Sequence, residues 1–143
     1  MGDVFEYFLE TEGIEHYEAK TRKDQYENCW ISPEGKWYSV GVCNHQVFAY
    51  HIFKKANPRD KDQLLHFITK DFENAGDWLR NQGWIMIESN FCTGTLVRGY
   101  ENMTEKQYRV LLAHFNDQRL FRGWTIRAMW LAKADMKQEA KTD

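Results

Sequence analysis

The chain has 143 residues, 43% hydrophobic and 15% aromatic, with 19 basic against 21 acidic side chains and a net charge of −2. That length suits one domain with one core, and the balanced charge gives no support to binding nucleic acid through phosphate neutralisation. Apolar runs such as Val110-Leu111-Leu112-Ala113 are far too short to cross a bilayer. The start, Met-Gly-Asp-Val-Phe-Glu, lacks the regions of a secretion signal and carries Glu6 where a myristoylation pattern needs Ser or Thr. A cytoplasmic setting is the expectation.

In chain order, residues 1–34 hold nine acidic and three basic side chains, −6 in all, which leaves +4 for the remainder. Residues 1–28 therefore read as an acidic N-terminal segment without a definite element. Val4, Phe5, Tyr7, Phe8 and Leu9 make a short apolar run that Gly13 breaks, and Tyr17 and Tyr26 are the main anchors of the polar stretch from Glu15 to Glu27. The domain proper is expected over residues 29–131. Cys29-Trp30-Ile31 and Lys36 to Val42 flank Ser32-Pro33-Glu34-Gly35, whose Pro and Gly suit a turn, so they form a hairpin with Tyr38, Val40 and Val42 on one face.

Asn44 then caps a helix from His45 to about Lys55, with Phe48, Ala49, Ile52 and Phe53 on one side, and Asn57-Pro58 closes it. Asp60 to Gln63 has the shape of a capping box ahead of Leu64, Leu65, Phe67, Ile68 and Phe72 at helical spacing. A short helix from Ala75 to Gln82 ends at Gly83, which suits the left-handed residue past a helix end. Trp84 to Glu88 and Thr95 to Tyr100 are strands joined by a turn over Asn90 to Gly94. Thr104 with Gln107 is a capping box for a helix whose stripe is Tyr108, Leu111, Leu112 and Phe115.

Trp124 to Leu131 reads as a last strand, with Trp124, Ile126 and Trp130 on one face and Arg127 and Met129 on the other. Residues 132–143 are small and charged, and a frayed tail is expected there. The fold class is thus α+β, a small mainly antiparallel sheet with three to four helices packed on one face. Val40, Phe48, Ile52, Ile85, Ile87, Leu111, Leu112, Phe115 and Ile126 should form its core.

The order Trp30-x-x-Pro33-x-Gly35, His45, Leu79-x-x-x-Gly83-Trp84-Ile85-x-Ile87 and Thr104 with Gln107 resembles small accessory proteins of tailed bacteriophages. The resemblance spans about residues 29 to 127 and leaves the acidic segment outside. It implies a factor acting in the bacterial cytoplasm, with no reaction attached.

Three groups of residues could carry chemistry. Cys43, His45 and His51 lie close in sequence and Cys29 could meet Cys43 across the hairpin, but no Cys-x-x-Cys exists and six positions separate the two histidines on a helix. No metal and no cofactor is expected. His45, opening a helix straight after a strand, is the residue to choose for a hydrolase or nuclease, although no nucleophile elbow accompanies it. Cys92 sits in the turn Asn90-Phe91-Cys92-Thr93-Gly94 without an identifiable base.

The third group is Arg119, Arg122, Arg127 and Met129, interleaved with Phe121, Trp124 and Trp130. This mixture matches both protein hot spots and surfaces that stack bases. The acidic balance favours the first. The leading expectation is a non-catalytic binding module that blocks or redirects a host protein. A His45 enzyme and a nucleic-acid-binding domain are the alternatives.

Overall fold

The computed structural model describes residues 13–21, 28–41, 44–57, 59–90 and 94–142. Among them, β1 (Cys29–Ile31), β2 (Trp37–Ser39), β3 (Ile85–Asn90) and β4 (Gly94–Arg98) form an antiparallel sheet in the order β2-β1-β3-β4. Trp30 stands opposite Tyr38 and Met86, while Ile31 stands opposite Trp37 and Ile85. Side chains alternate along a strand. Trp30, Tyr38 and Met86 therefore share one face, and Cys29, Ile31, Trp37, Ile85, Ile87 and Val97 share the other.

The helices are α1 (His45–Ala56), α2 (Lys61–His66) with a π-helical turn over Phe67–Asp71, α3 (Ala75–Asn81), α4 (Glu105–His114) and α5 (Ile126–Thr142). The α+β class and the antiparallel sheet are as the sequence predicts. The placing of all helices on one face is not. Phe48, Phe67 and Leu79 from α1, the π turn and α3 cover the Trp30 face, and Leu111, Ile126 and Met129 from α4 and α5 cover the Ile31 face. The strands explain this, because Cys29 to Ile31 and Ile85 to Ile87 are apolar at every position and leave no face for water.

Of the predicted core, Val40, Phe48, Ile85, Ile87, Leu111, Phe115 and Ile126 are buried, while Ile52 and Leu112 are only partly so. The capping box is present in full: Gln107 N donates to Thr104 Oγ1 at 3.2 Å and Thr104 N donates to Gln107 Oε1 at 2.8 Å. The first predicted hairpin and the α3 stop at Gly83, with φ +95, are also present.

Three boundaries differ. The segment before residue 29 contributes to the fold: Ile14 and Tyr17 of a short 3-10 turn are buried against the Trp30 face, and Glu18 bridges to Tyr38 and pairs with Lys36 at 2.6 Å. Along α2 and its π turn only Phe67 is fully buried, whereas Leu65 is 62% and Ile68 36% exposed. The π turn shifts the phase there, so a stripe drawn at α-helical period loses its face.

The last strand is the largest correction. Residues Trp124–Thr125 are a two-residue strand, and helix α5 follows from Ile126 through Thr142 in place of the rest of the expected strand. Thr125 decides the change, since its Oγ1 accepts from Ala128 N at 3.0 Å and so caps the new helix. Ile126, Met129, Trp130 and Lys133 then fall at i, i+3, i+4 and i+7 on the inward side. Val42, Cys43, Pro58 and Cys92 lie outside the described residues.

Candidate functional site, the corner formed by the last hairpin and helix

After α4 the chain makes a two-stranded hairpin, β5 (Leu120–Phe121) and β6 (Trp124–Thr125). Its turn is Arg122-Gly123, with φ +49 and +91. A two-residue turn with both φ positive matches the right-handed twist of the strands it joins. Gly accepts that conformation freely; Arg adopts it at a cost and is carried at the tip, exposed. Phe121 points down into the core, edge-on to Phe115 with ring centres 5.3 Å apart, and fastens the hairpin to the body.

The four residues picked from the sequence separate here. Arg119 is exposed but engaged, lying over the Phe115 ring at 5.9 Å and the Phe121 ring at 5.7 Å. Arg122 and Arg127 are both exposed, and neither has an ion-pair partner among the described residues. Met129 is 2% exposed and belongs to the core, so it is no part of a surface. The two-period alternation that put Met129 beside Arg127 does not survive the conversion of the strand into a helix.

Sequence reasoning passed over Leu120 and Leu131 and set Trp124 on the face of Ile126, whereas Leu120, Trp124 and Leu131 are 59%, 47% and 52% exposed. Trp124 leans on Tyr100 with ring centres 6.3 Å apart, and Leu131 lies four residues after Arg127 on α5, hence on the same side. The signal that could have found them is the pair Arg122-Gly123 read as a hairpin tip, which fixes the helix start and thereby the outward positions. Arg127 also stands in the first turn of α5, where no acidic residue offsets it. A cation there opposes the helix dipole. Local stability gains nothing from that placement.

His45 begins α1 behind Asn44, which makes no side-chain cap bond, and its ring meets Trp30 edge-on at 5.6 Å. Trp37, on the opposite face of the sheet, meets His114 at 4.9 Å. His45 Nε2 is buried without a hydrogen-bond partner among the described residues. Burial lowers its pKa from the usual imidazole value; the Glu88 charge opposes that shift and Arg80 adds to it. A neutral ring results, with no carboxylate hydrogen-bonded to orient it as a base among the described residues. His51, also buried, packs beside Tyr17 at 5.9 Å. Cys29 is wholly buried on the Ile31 face.

The His45 environment has a consequence for pH. The unfolded chain takes up a proton near the ordinary imidazole value of about 6.5, and the folded chain does so only at lower pH. The stability tied to this group is therefore complete above about pH 6.5 and declines as pH falls from there toward the depressed folded value. Replacing His45 by Phe should make the loss of stability between pH 7 and pH 5 smaller than in the unaltered protein. Urea melts of both proteins at the two pH values check this, and equal losses would contradict it.

No protein-family model, curated protein or solved structure matches the chain.

Proposed function

We propose that the chain is a non-catalytic binding module that holds a partner protein at the β5–β6 and α5 corner. One observation carries the reading: Leu120, Trp124 and Leu131, three large apolar side chains about half exposed or more, are interleaved within twelve residues with Arg122 and Arg127, which have no ion-pair partner among the described residues. Elsewhere Arg80, Arg98 and Arg109 are paired with Asp77, Glu88 and Glu105. Trp and Arg lead the residues that dominate binding energy at protein interfaces, and apolar groups kept at a surface mark such interfaces.

The partner that fits presents carboxylates around an apolar patch. In keeping with the resemblance to phage accessory proteins, that partner is a host protein. Leu65 and Ile68 make another exposed apolar pair, but Lys61, Asp62, Lys70 and Asp71 surround them in sequence with both signs of charge. That patch offers less charge selectivity.

The double substitution Arg122→Asp, Arg127→Glu tests the corner. Asp tolerates the left-handed backbone at position 122 far better than a β-branched residue would, so the fold should be retained. A partner captured in stoichiometric amount by the unaltered protein should bind the double variant at least about tenfold more weakly, because charge reversal at a rim costs about 1.4 kcal/mol or more. Equal affinities by calorimetry would eliminate this surface.

A further inference from the structure

Arg122 also borders a cleft of about 520 Å3 at the outer edge of β4, between the end of α3 and the 3-10 turn Tyr100–Asn102. Three arginines from separate elements line it: Arg80 from the last turn of α3, whose stem lies against Gly99, Arg98 from the end of β4 and Arg122 from the hairpin tip. Glu101 is the one carboxylate among the described lining residues. Among the described lining residues basic side chains outnumber acidic ones, and Arg122 is the arginine without an ion-pair partner among the described residues.

Two of these groups are held in place. Asp77 pairs with Arg80, and Glu88 Oε2 accepts from Arg98 Nε at 2.7 Å. Each contact engages one corner of a guanidinium that carries five N–H donors, so the rest of the fork stays available while its orientation is constrained. The stem of Arg80 is confined as well. Gly99, at φ +85, leaves just enough room for it, since a Cβ there would come within 3.2 Å of Arg80 Cγ and 3.0 Å of the Trp84 carbonyl.

The volume exceeds what a lone phosphate needs and lies in the range of roughly 300–1,000 Å3 typical of small-molecule sites. Tyr100, Asn81 and Asn102 also line it, and an Asn side chain can both donate and accept. We propose that this cleft binds a phosphorylated small molecule of mononucleotide size, with the phosphate held by Arg98 and Arg122 and the ring system set against Tyr100 and the two amides. This is separate from partner binding, which uses Leu120, Trp124, Arg127 and Leu131; of the corner's residues only Arg122 lines the cleft.

The test is calorimetry with the four ribonucleoside monophosphates, inorganic phosphate, adenosine and a Glu-rich peptide, at matched ionic strength. At least one monophosphate should bind saturably and be displaced by inorganic phosphate, and adenosine should give no saturable heat. Arg98→Gln and Arg122→Asn should each weaken that monophosphate about tenfold or more, while Arg127→Glu should not, which separates failure here from failure at the protein-binding corner. Asn suits the left-handed position 122, so the second variant guards against a loss caused by breaking the Arg98–Glu88 pair. No response to any monophosphate, equal affinity in both cleft variants, or saturable binding of the peptide in their place would overturn the assignment.

Discussion

Replacing Gln107 by Leu should destabilise the protein by about 3–5 kcal/mol, on the basis of 1–3 kcal/mol for each buried polar group left without a partner. Gln107 is completely buried. Its Nε2 donates to the Ile31 carbonyl at 3.0 Å and to the Gly83 carbonyl at 2.9 Å, and its Oε1 accepts from Thr104 N at 2.8 Å. One side chain thereby joins the start of α4 to the end of β1 and to the turn between α3 and β3. Thr104 Oγ1 adds a bond to the Pro33 carbonyl at 2.8 Å, so the same helix start also holds the β1–β2 turn.

A Leu of similar volume would keep the packing and abandon two carbonyls and one N–H. Thermal unfolding should show a fall of roughly 10 °C, given 2–4 °C per kcal/mol for a domain of this size. Gln107→Glu adds a second reading. A carboxylate facing the Ile31 and Gly83 carbonyls would be held protonated, with its pKa raised by burial and by those oxygens. Its stability should then fall as pH rises from 4 to 8, beyond any change in the unaltered protein. A Leu variant with an unchanged melting temperature would show that Gln107 is only a local cap.

Leu111→Ala should cost about 2–5 kcal/mol, the range for large-to-small changes in a core. Leu111 is completely buried one turn after Gln107, and it packs in the cluster with Ile31, Ile85, Ile87, Phe121 and Ile126. Those neighbours come from β1, β3, β5 and α5, elements pinned to one another by the sheet and the hairpin, so the cavity has little freedom to collapse. Denaturant unfolding should show a lower midpoint with an unchanged slope. A loss under about 1 kcal/mol would mean the Ile31 face is loosely packed. The two substitutions share a helix face and should not be strictly additive.

The sequence makes the middle of the fold legible because several local signals agree there. Pro33 and Gly35 mark a turn, Gly83 marks a helix end, and Thr104 with Gln107 marks a helix start, each through a backbone demand that few residues meet. What Gln107 does beyond its cap was not legible, since the carbonyls it reaches lie 76 and 24 residues away. The two-sided covering of the sheet was written in the unbroken apolar character of β1 and β3, but runs of three residues look alike in a buried strand and a buried helix.

The end of the chain misleads for a different reason. Trp124 to Leu131 fits a period of two through Trp124, Ile126, Ala128 and Trp130, and equally fits a helix through Ile126, Met129, Trp130 and Lys133. Thr125 as a cap and the Ala, Met, Lys and Glu content beyond residue 131 favour the helix. Three of the four residues expected at the binding surface stay outside, Arg119, Arg122 and Arg127, while Met129 goes into the core. Leu120 and Trp124 of the hairpin and Leu131 of α5 replace it, and the exposure of Leu131 follows from the helical phase.

The contact point of a bound partner is the most direct measure of that corner's role. A photo-reactive benzoylphenylalanine in place of Leu131, and in a second protein in place of Leu65, would sample the two exposed apolar surfaces with the same chemistry. Illumination of each with the captured partner should give a cross-linked product from position 131, abolished by the Arg122→Asp, Arg127→Glu pair, and none from position 65. A partner cross-linking through position 65 and not through position 131 would contradict the assignment of binding to the β5–β6 and α5 corner.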